Sequence, residues 1–160
     1  MGAIVGKGFS RDTVNGDSKH PRPQQRREKW ELLNGLWDFF IDADGGLERP
    51  DQVSWDEKIL VPFSPETPAS RIGNTGFYSA VWYRRTFEAP EIGESELLLL
   101  HFEAVDYRTV VWVNGAKIFR HEGGYTPFTV DITHVLRPGG EQEIIVRAED
   151  DPADLAKPRG

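Results

Sequence analysis

From Trp30 onward, apolar and polar positions alternate with a period of two, and no long stretch sustains the period near 3.6 that an amphipathic helix needs. In Leu36–Ile41 (LWDFFI), Trp37, Phe39 and Ile41 fall on one side of an extended chain and Leu36, Asp38 and Phe40 on the other. Further strands are predicted at 58–61, 81–87, 96–102, 108–113, 117–121, 128–131 and 143–149. Turn signals separate them: Asn34-Gly35, Asp44-Gly45-Gly46, the prolines from Pro62 to Pro68, Pro90 to Gly93, Asn114-Gly115 and Pro138-Gly139-Gly140. Asn114-Gly115 is the strongest, because a two-residue type I′ hairpin needs positive φ at both positions and these residue types accept it. Asp131-Ile132-Thr133 predicts one helical turn through Leu136, with Asp131 or Thr133 accepting backbone N–H groups.

Short strands joined by Pro- and Gly-rich connections predict an all-β fold, an antiparallel β-sandwich of the jelly-roll kind. Candidates for the core between its sheets are Trp37, Trp82, Leu98, Leu100, Val111, Trp112, Val113, Ile118, Phe128, Ile144 and Val146. Residues 1–20, rich in Gly, Ser, Asp and Lys without a sustained apolar period, read as a flexible N-terminal arm, which leaves one domain over 21–160.

A chain of 160 residues buries enough surface to fold without a staple, and it contains no cysteine, which removes disulfide, zinc-thiolate and thiol-nucleophile chemistry. The net charge of -7, with both signs interspersed, argues against a nucleic-acid partner; the one basic run, Arg22 to Lys29, reads as a solvated face. No apolar run approaches the ~20 residues of a membrane span, and the N-terminus lacks the pattern of a secretory signal, so no membrane association and a cytoplasmic location are expected. Phosphate-loop, GxSxG and HExxH motifs are absent from the sequence.

Six segments in order, RPQ at 22–24, LNGLWDF at 33–39, VPFSPE at 61–66, WYRRTF at 82–87, VWVNG at 111–115 and HEGGYTPF at 121–128, with the ending DDPADLAKPRG, carry a family pattern. Together they resemble the N-terminal sugar-binding domain, galactose-binding-like, of glycoside hydrolase family 2, the family of β-galactosidases, β-glucuronidases and β-mannosidases. The pattern departs at Ser70-Arg71-Ile72-Gly73, where the family often has Ser-Gly-Ile-Gly; an arginine there adds a charge and removes a permissive φ.

The resemblance implies a non-catalytic role. The two glutamates of such retaining β-glycosidases stand about 5 Å apart on a (β/α)8 barrel of roughly 250 residues, so this chain alone should not hydrolyse glycosides. It is expected to be excised from a longer multidomain glycosidase, with the immunoglobulin-like and barrel domains of that parent and carbohydrate as its partners. β-Galactosidase is the first expectation for the parent activity and β-glucuronidase the second. By resemblance, Asp154 and Arg159, in the segment that ends this domain, are the first candidates for sugar contacts, since a carboxylate accepts two hydroxyls and a guanidinium donates in a planar fork. Ser64 and Glu66, on the proline-stiffened loop after Val61, are the second; Tyr125 is a candidate stacking platform or a packed edge residue.

Other polar groups read as structural. Asp106 and Arg108 are expected to pair within their own turn, and His121 before Gly123-Gly124 to sit at a bulge as a hydrogen-bonded histidine. No cofactor is expected, and DDPAD lacks the ligand count of a Ca²⁺ loop. Two competing readings stay open. An autonomous carbohydrate-binding module would show exposed, coplanar rings among Trp55, Phe77, Tyr78 and Tyr125; a pure interdomain or oligomer interaction domain would show a dominant exposed apolar patch.

Overall fold

The computed structural model describes residues 3–6 and 30–150. Its strands are β1 (Ala3–Gly6), β2 (Glu31–Leu32), β3 (Gly35–Asp42), β4 (Glu57–Val61), β5 (Ala80–Glu88), β6 (Leu99–Phe102), β7 (Arg108–Val113), β8 (Ala116–Glu122), β9 (Phe128–Asp131) and β10 (Glu141–Glu149). They form a four-stranded sheet in the order β2-β1-β6-β9 and a six-stranded sheet in the order β4-β3-β5-β10-β7-β8. Every pairing is antiparallel. Asn114 and Gly115 turn the β7–β8 hairpin at φ 52° and 84°, the left-handed values the sequence predicts.

The register of the six-stranded sheet sorts its side chains into rows, because residues directly opposite one another share a face. One row, Phe39-Tyr83-Val146-Val111-Phe119, points to the four-stranded sheet and is buried there with Leu98, Leu100, Phe102, Phe128 and Val130. The next row, Phe40-Trp82-Arg147-Val110-Arg120, points the other way. Trp82 and Trp112 therefore do not belong to the core between the sheets. They stack at 5.3 Å on the outer face, with Val110 and Ile145, in a second apolar cluster.

The β3–β4 connection covers that cluster with Leu47, Val53 and Trp55. Asp42 shapes it by accepting hydrogen bonds from the Gly46 and Leu47 N–H groups at 3.2 and 2.9 Å, and Arg147 Nη2 ties it down by donating to the Gly45 carbonyl at 3.0 Å. The Arg84 guanidinium lies 4.6 Å from the centre of the Trp55 ring and is paired with Asp38. Because both faces of β7 are covered, its sequence reads as the continuous run VVWV and not as an alternation.

Three local expectations meet corrections. Residues 3–6 of the expected arm form β1, between β2 and β6; the rest of 1–20 lies outside the described residues. Arg108 pairs with Glu122 and Glu149 on neighbouring strands, since the ladder places those carboxylates directly opposite it. The β7–β8 irregularity falls between Val111 and Trp112, opposite Ile118; His121 pairs regularly with Thr109. The His121 ring stacks on Phe128 at 4.4 Å, and its buried Nε2 finds no hydrogen-bond partner among the described residues. The predicted helical turn is present as a 3-10 turn at Thr133–Val135, and both expected side chains act. Asp131 Oδ1 accepts from the Thr133 N–H, and Thr133 Oγ1 from the Leu98 N–H, each at 2.9 Å.

Candidate functional site

The β4–β5 connection, Pro62 to Ser79, is long but closely tied. The Asn74 N–H donates to the Pro65 carbonyl at 3.0 Å, closing the loop on itself, and a 3-10 turn at Pro68–Ser70 lies within the closure. Fully buried Ser70 anchors that turn: its hydroxyl donates to the Thr67 carbonyl at 2.7 Å and accepts from the Ile72 N–H at 3.1 Å. Arg71 ends the turn at φ 74°, in the left-handed region that a glycine would occupy without strain. The departure from the family pattern thus falls at a position whose backbone still has a glycine-like conformation.

Within this frame Ser64 and Glu66 come together, and Tyr78 joins them from the far end of the loop. The Tyr78 hydroxyl donates to Glu66 Oε1, and the Ser64 side chain also hydrogen-bonds the Glu66 carboxylate. Burial works to raise the Glu66 carboxyl, but hydrogen bonds from Tyr78, its own backbone and Ser64 outweigh it and hold the group below the usual carboxylate range. The Tyr78 phenol is pushed well above its ordinary value, first by burial and then by its bond to Glu66. At neutral pH the loop therefore presents a fixed carboxylate with acceptor capacity to spare, beside a phenol that keeps its proton. That pair suits a ligand rich in hydroxyl groups.

Phe77, next to Tyr78, is 90% exposed. Tyr125 is also exposed, on the β8–β9 loop, a different connection from that of Ser64 and Glu66. Trp55 packs on the outer cluster and Tyr78 against the main core, so two of the four rings that an autonomous module would use are engaged elsewhere. Asp154 and Arg159 lie outside the described residues. Their point of departure is fixed, however: the Asp150 N–H donates to the carbonyl of Ser79, the neighbour of Tyr78, at 3.0 Å. Among the described residues, no three His, Asp or Glu side chains gather as metal ligands.

The β8–β9 loop docks against the turn before β7. Gly123 N–H donates to the Tyr107 carbonyl at 2.9 Å, and a Cβ on buried Gly124 would collide with the Asp106 carboxylate. That close approach explains Gly124 of the HEGGYTPF motif, and a φ of 127° explains Gly123.

Comparison with known proteins bears on both the loop and the motif. Residues 74–158, more than half of the chain, match the family described as glycosyl hydrolase 2 galactose-binding domain-like. The β-glucuronidase of Paenibacillus borealis is 32% identical over 121 residues, covering 71% of this chain and 20% of that protein. The Sus scrofa β-glucuronidase is 31% identical over 139 residues, covering 79% of this chain and 21% of that protein. Among solved structures, Lactobacillus rhamnosus β-glucuronidase superposes with a TM-score of 0.64 at 29% identity, over 74% of this chain and 21% of that one. A Ruminococcus gnavus β-glucuronidase in complex with C6-substituted uronic isofagomine gives 0.60 at 26% identity, over the same shares. The chain thus spans about a fifth of the length of the relatives it matches. These relatives are β-glucuronidases, which reverses the order in which the sequence reading placed galactosidase and glucuronidase.

Proposed function

This chain belongs to the glycosyl hydrolase 2 galactose-binding domain-like family and corresponds to the N-terminal region of β-glucuronidases, and on that premise we propose that it is the non-catalytic domain that completes the rim of a β-glucuronidase substrate pocket. The observation that carries the proposal is the bond from Asp150 to Ser79. It holds Asp150 against the neighbour of Tyr78, whose hydroxyl donates to Glu66, and in this reading Asp154 and Arg159 of the segment that follows meet the same sugar as Glu66. Glu66 accepts from sugar hydroxyls in this reading, Ser64 and Tyr78 hold its carboxylate in place, and the chemistry is done by glutamates elsewhere in the parent.

The test is a graft. This chain replaces the corresponding region of the Lactobacillus rhamnosus enzyme, and turnover of an aryl β-glucuronide is compared with that of the aryl β-galactoside. The graft is expected to prefer the glucuronide. Glu66→Gln, which keeps the size and one acceptor oxygen, is expected to raise KM about tenfold with kcat little changed, the pattern of a lost binding contact. A folded graft in which Glu66→Gln leaves KM unchanged would remove Glu66 from the pocket rim.

A further inference from the structure

The outer face of the six-stranded sheet, beyond the strap formed by the β3–β4 connection, holds an open groove of about 540 Å³ at the β10–β7–β8 edge. Its composition follows from register. The row through Val110 and Arg120 supplies an apolar floor with one guanidinium beside it, its third member Arg147 lying outside the lining, and the next row, Glu149-Arg108-Glu122, supplies a guanidinium between two carboxylates.

The charges in the groove are fixed in place to different degrees. Arg108 donates to Glu122 Oε1 at 2.9 Å and to Glu149 Oε1 at 3.1 Å, so it is matched on both sides. Arg147 donates to Glu149 Oε2 and to the Gly45 carbonyl, and its guanidinium lies 5.7 Å from the Trp82 ring centre. Arg120 is exposed and forms no hydrogen bond or ion pair with any described residue. Arg108 and, from outside the lining, Arg147 take up the two carboxylates, so Arg120 is the groove cation left without a partner among the described residues.

A floor of one aliphatic side chain, walls that alternate donors and acceptors, and a single surplus cation together define a ligand. Guanidinium and carboxylate groups in alternation exchange hydrogen bonds with vicinal hydroxyls; an unmatched guanidinium takes a carboxylate in bidentate fashion. The volume suits a mono- or disaccharide. We propose that this groove is a binding site for a saccharide bearing a carboxylate, with Arg120 holding the carboxylate and Arg108, Glu122 and Glu149 meeting the hydroxyls over Val110. The site lies on the sheet face and is independent of the Glu66 loop.

The test is an NMR titration of the 160-residue chain with sodium glucuronate, with glucose and with sodium acetate at matched ionic strength. Glucuronate is expected to give saturable shifts on Val110, Arg108, Arg120 and Glu122, with an affinity about tenfold above that of glucose, one charge-assisted contact. Arg120→Gln is expected to erase that advantage while leaving the melting temperature unchanged, since the side chain is exposed and unpaired. Equal affinity for glucuronate and glucose would overturn the proposal. So would acetate reproducing the same shifts at the same concentration, or shifts confined to Ser64, Glu66 and Tyr78; the last result would leave the pocket-rim reading standing.

Discussion

Replacing Gln142 by alanine should destabilise the domain far more than its position beside a solvent-exposed turn suggests. The side chain is fully buried and makes four hydrogen bonds: its Oε1 accepts from Asn114 Nδ2 at 2.7 Å and Arg137 N–H at 2.9 Å, and its Nε2 donates to the Arg137 and Gly140 carbonyls at 3.2 and 3.0 Å. It thereby links the 137–140 turn to Asn114 at the tip of the β7–β8 hairpin, which carries Arg108 and Arg120. At roughly 1 kcal/mol net per lost bond the change costs about 4 kcal/mol, lessened where water reaches the turn, so about 3 kcal/mol is expected. For a domain of this size that lowers the melting temperature by about 10 °C. Thermal melts and urea denaturation of the wild type, Gln142→Ala, Asn114→Ala and the double variant measure it. Because the two amides share a bond, the double variant should lose about 1 kcal/mol less than the sum of the singles. A fall of less than about 2 °C for Gln142→Ala, or strict additivity, would refute the reasoning.

Three further outcomes follow from local geometry. Arg71→Gly should stabilise the chain by about 1 kcal/mol in denaturant melts, by relieving a left-handed φ of 74°, whereas Arg71→Ala should not, since alanine meets the same strain. Gly124→Ala should cost about 1–3 kcal/mol, because its Cβ would collide with the Asp106 carboxylate; Gly139→Ala, whose Cβ would meet nothing within 4 Å, separates that collision from backbone strain, which it alone should show. Asp38 has its carboxyl held below 3.8: burial works to raise it, but the hydrogen bonds and charges of Lys58 and Arg84 win. A depressed carboxyl stabilises the fold above its unfolded pKa and loses that contribution as pH falls through the folded value. Melting temperature should therefore drop below about pH 4, and Asp38→Asn should flatten that limb of the profile.

Much of the fold was legible because local signals agreed with the tertiary structure. Asn114-Gly115 imposed its own turn, and the alternation in LWDFFI set Trp37, named for the core, and Phe39 on one side of the strand, where both are buried. The failures share a cause, which is that periodicity gives the face of a residue and not what covers that face. Trp82 and Trp112 read as inter-sheet core, yet they are buried by a loop whose Leu47, Val53 and Trp55 have no strand pattern. The run VVWV was the available signal, since a strand apolar on both faces needs two covers. Residues 3–6 gave no such sign, because a four-residue strand of Ala, Ile, Val and Gly within a polar leader is too short for a period. At the site, the family pattern pointed to Ser64 and Glu66, but their partner Tyr78 is 12 residues from Glu66, and only the closure from Asn74 to Pro65 brings it near. The groove under Arg120 depends on cross-strand register, which spacing along one strand does not encode.

The most direct test of the central claim is a crystal structure of the graft with bound D-glucuronic acid. The account predicts Glu66 Oε2 within about 3 Å of a sugar hydroxyl, with the Tyr78 hydroxyl still donating to Glu66 Oε1. A sugar seated in the pocket with the loop from Pro62 to Ser79 turned away from it, and Glu66 facing solvent, would contradict it.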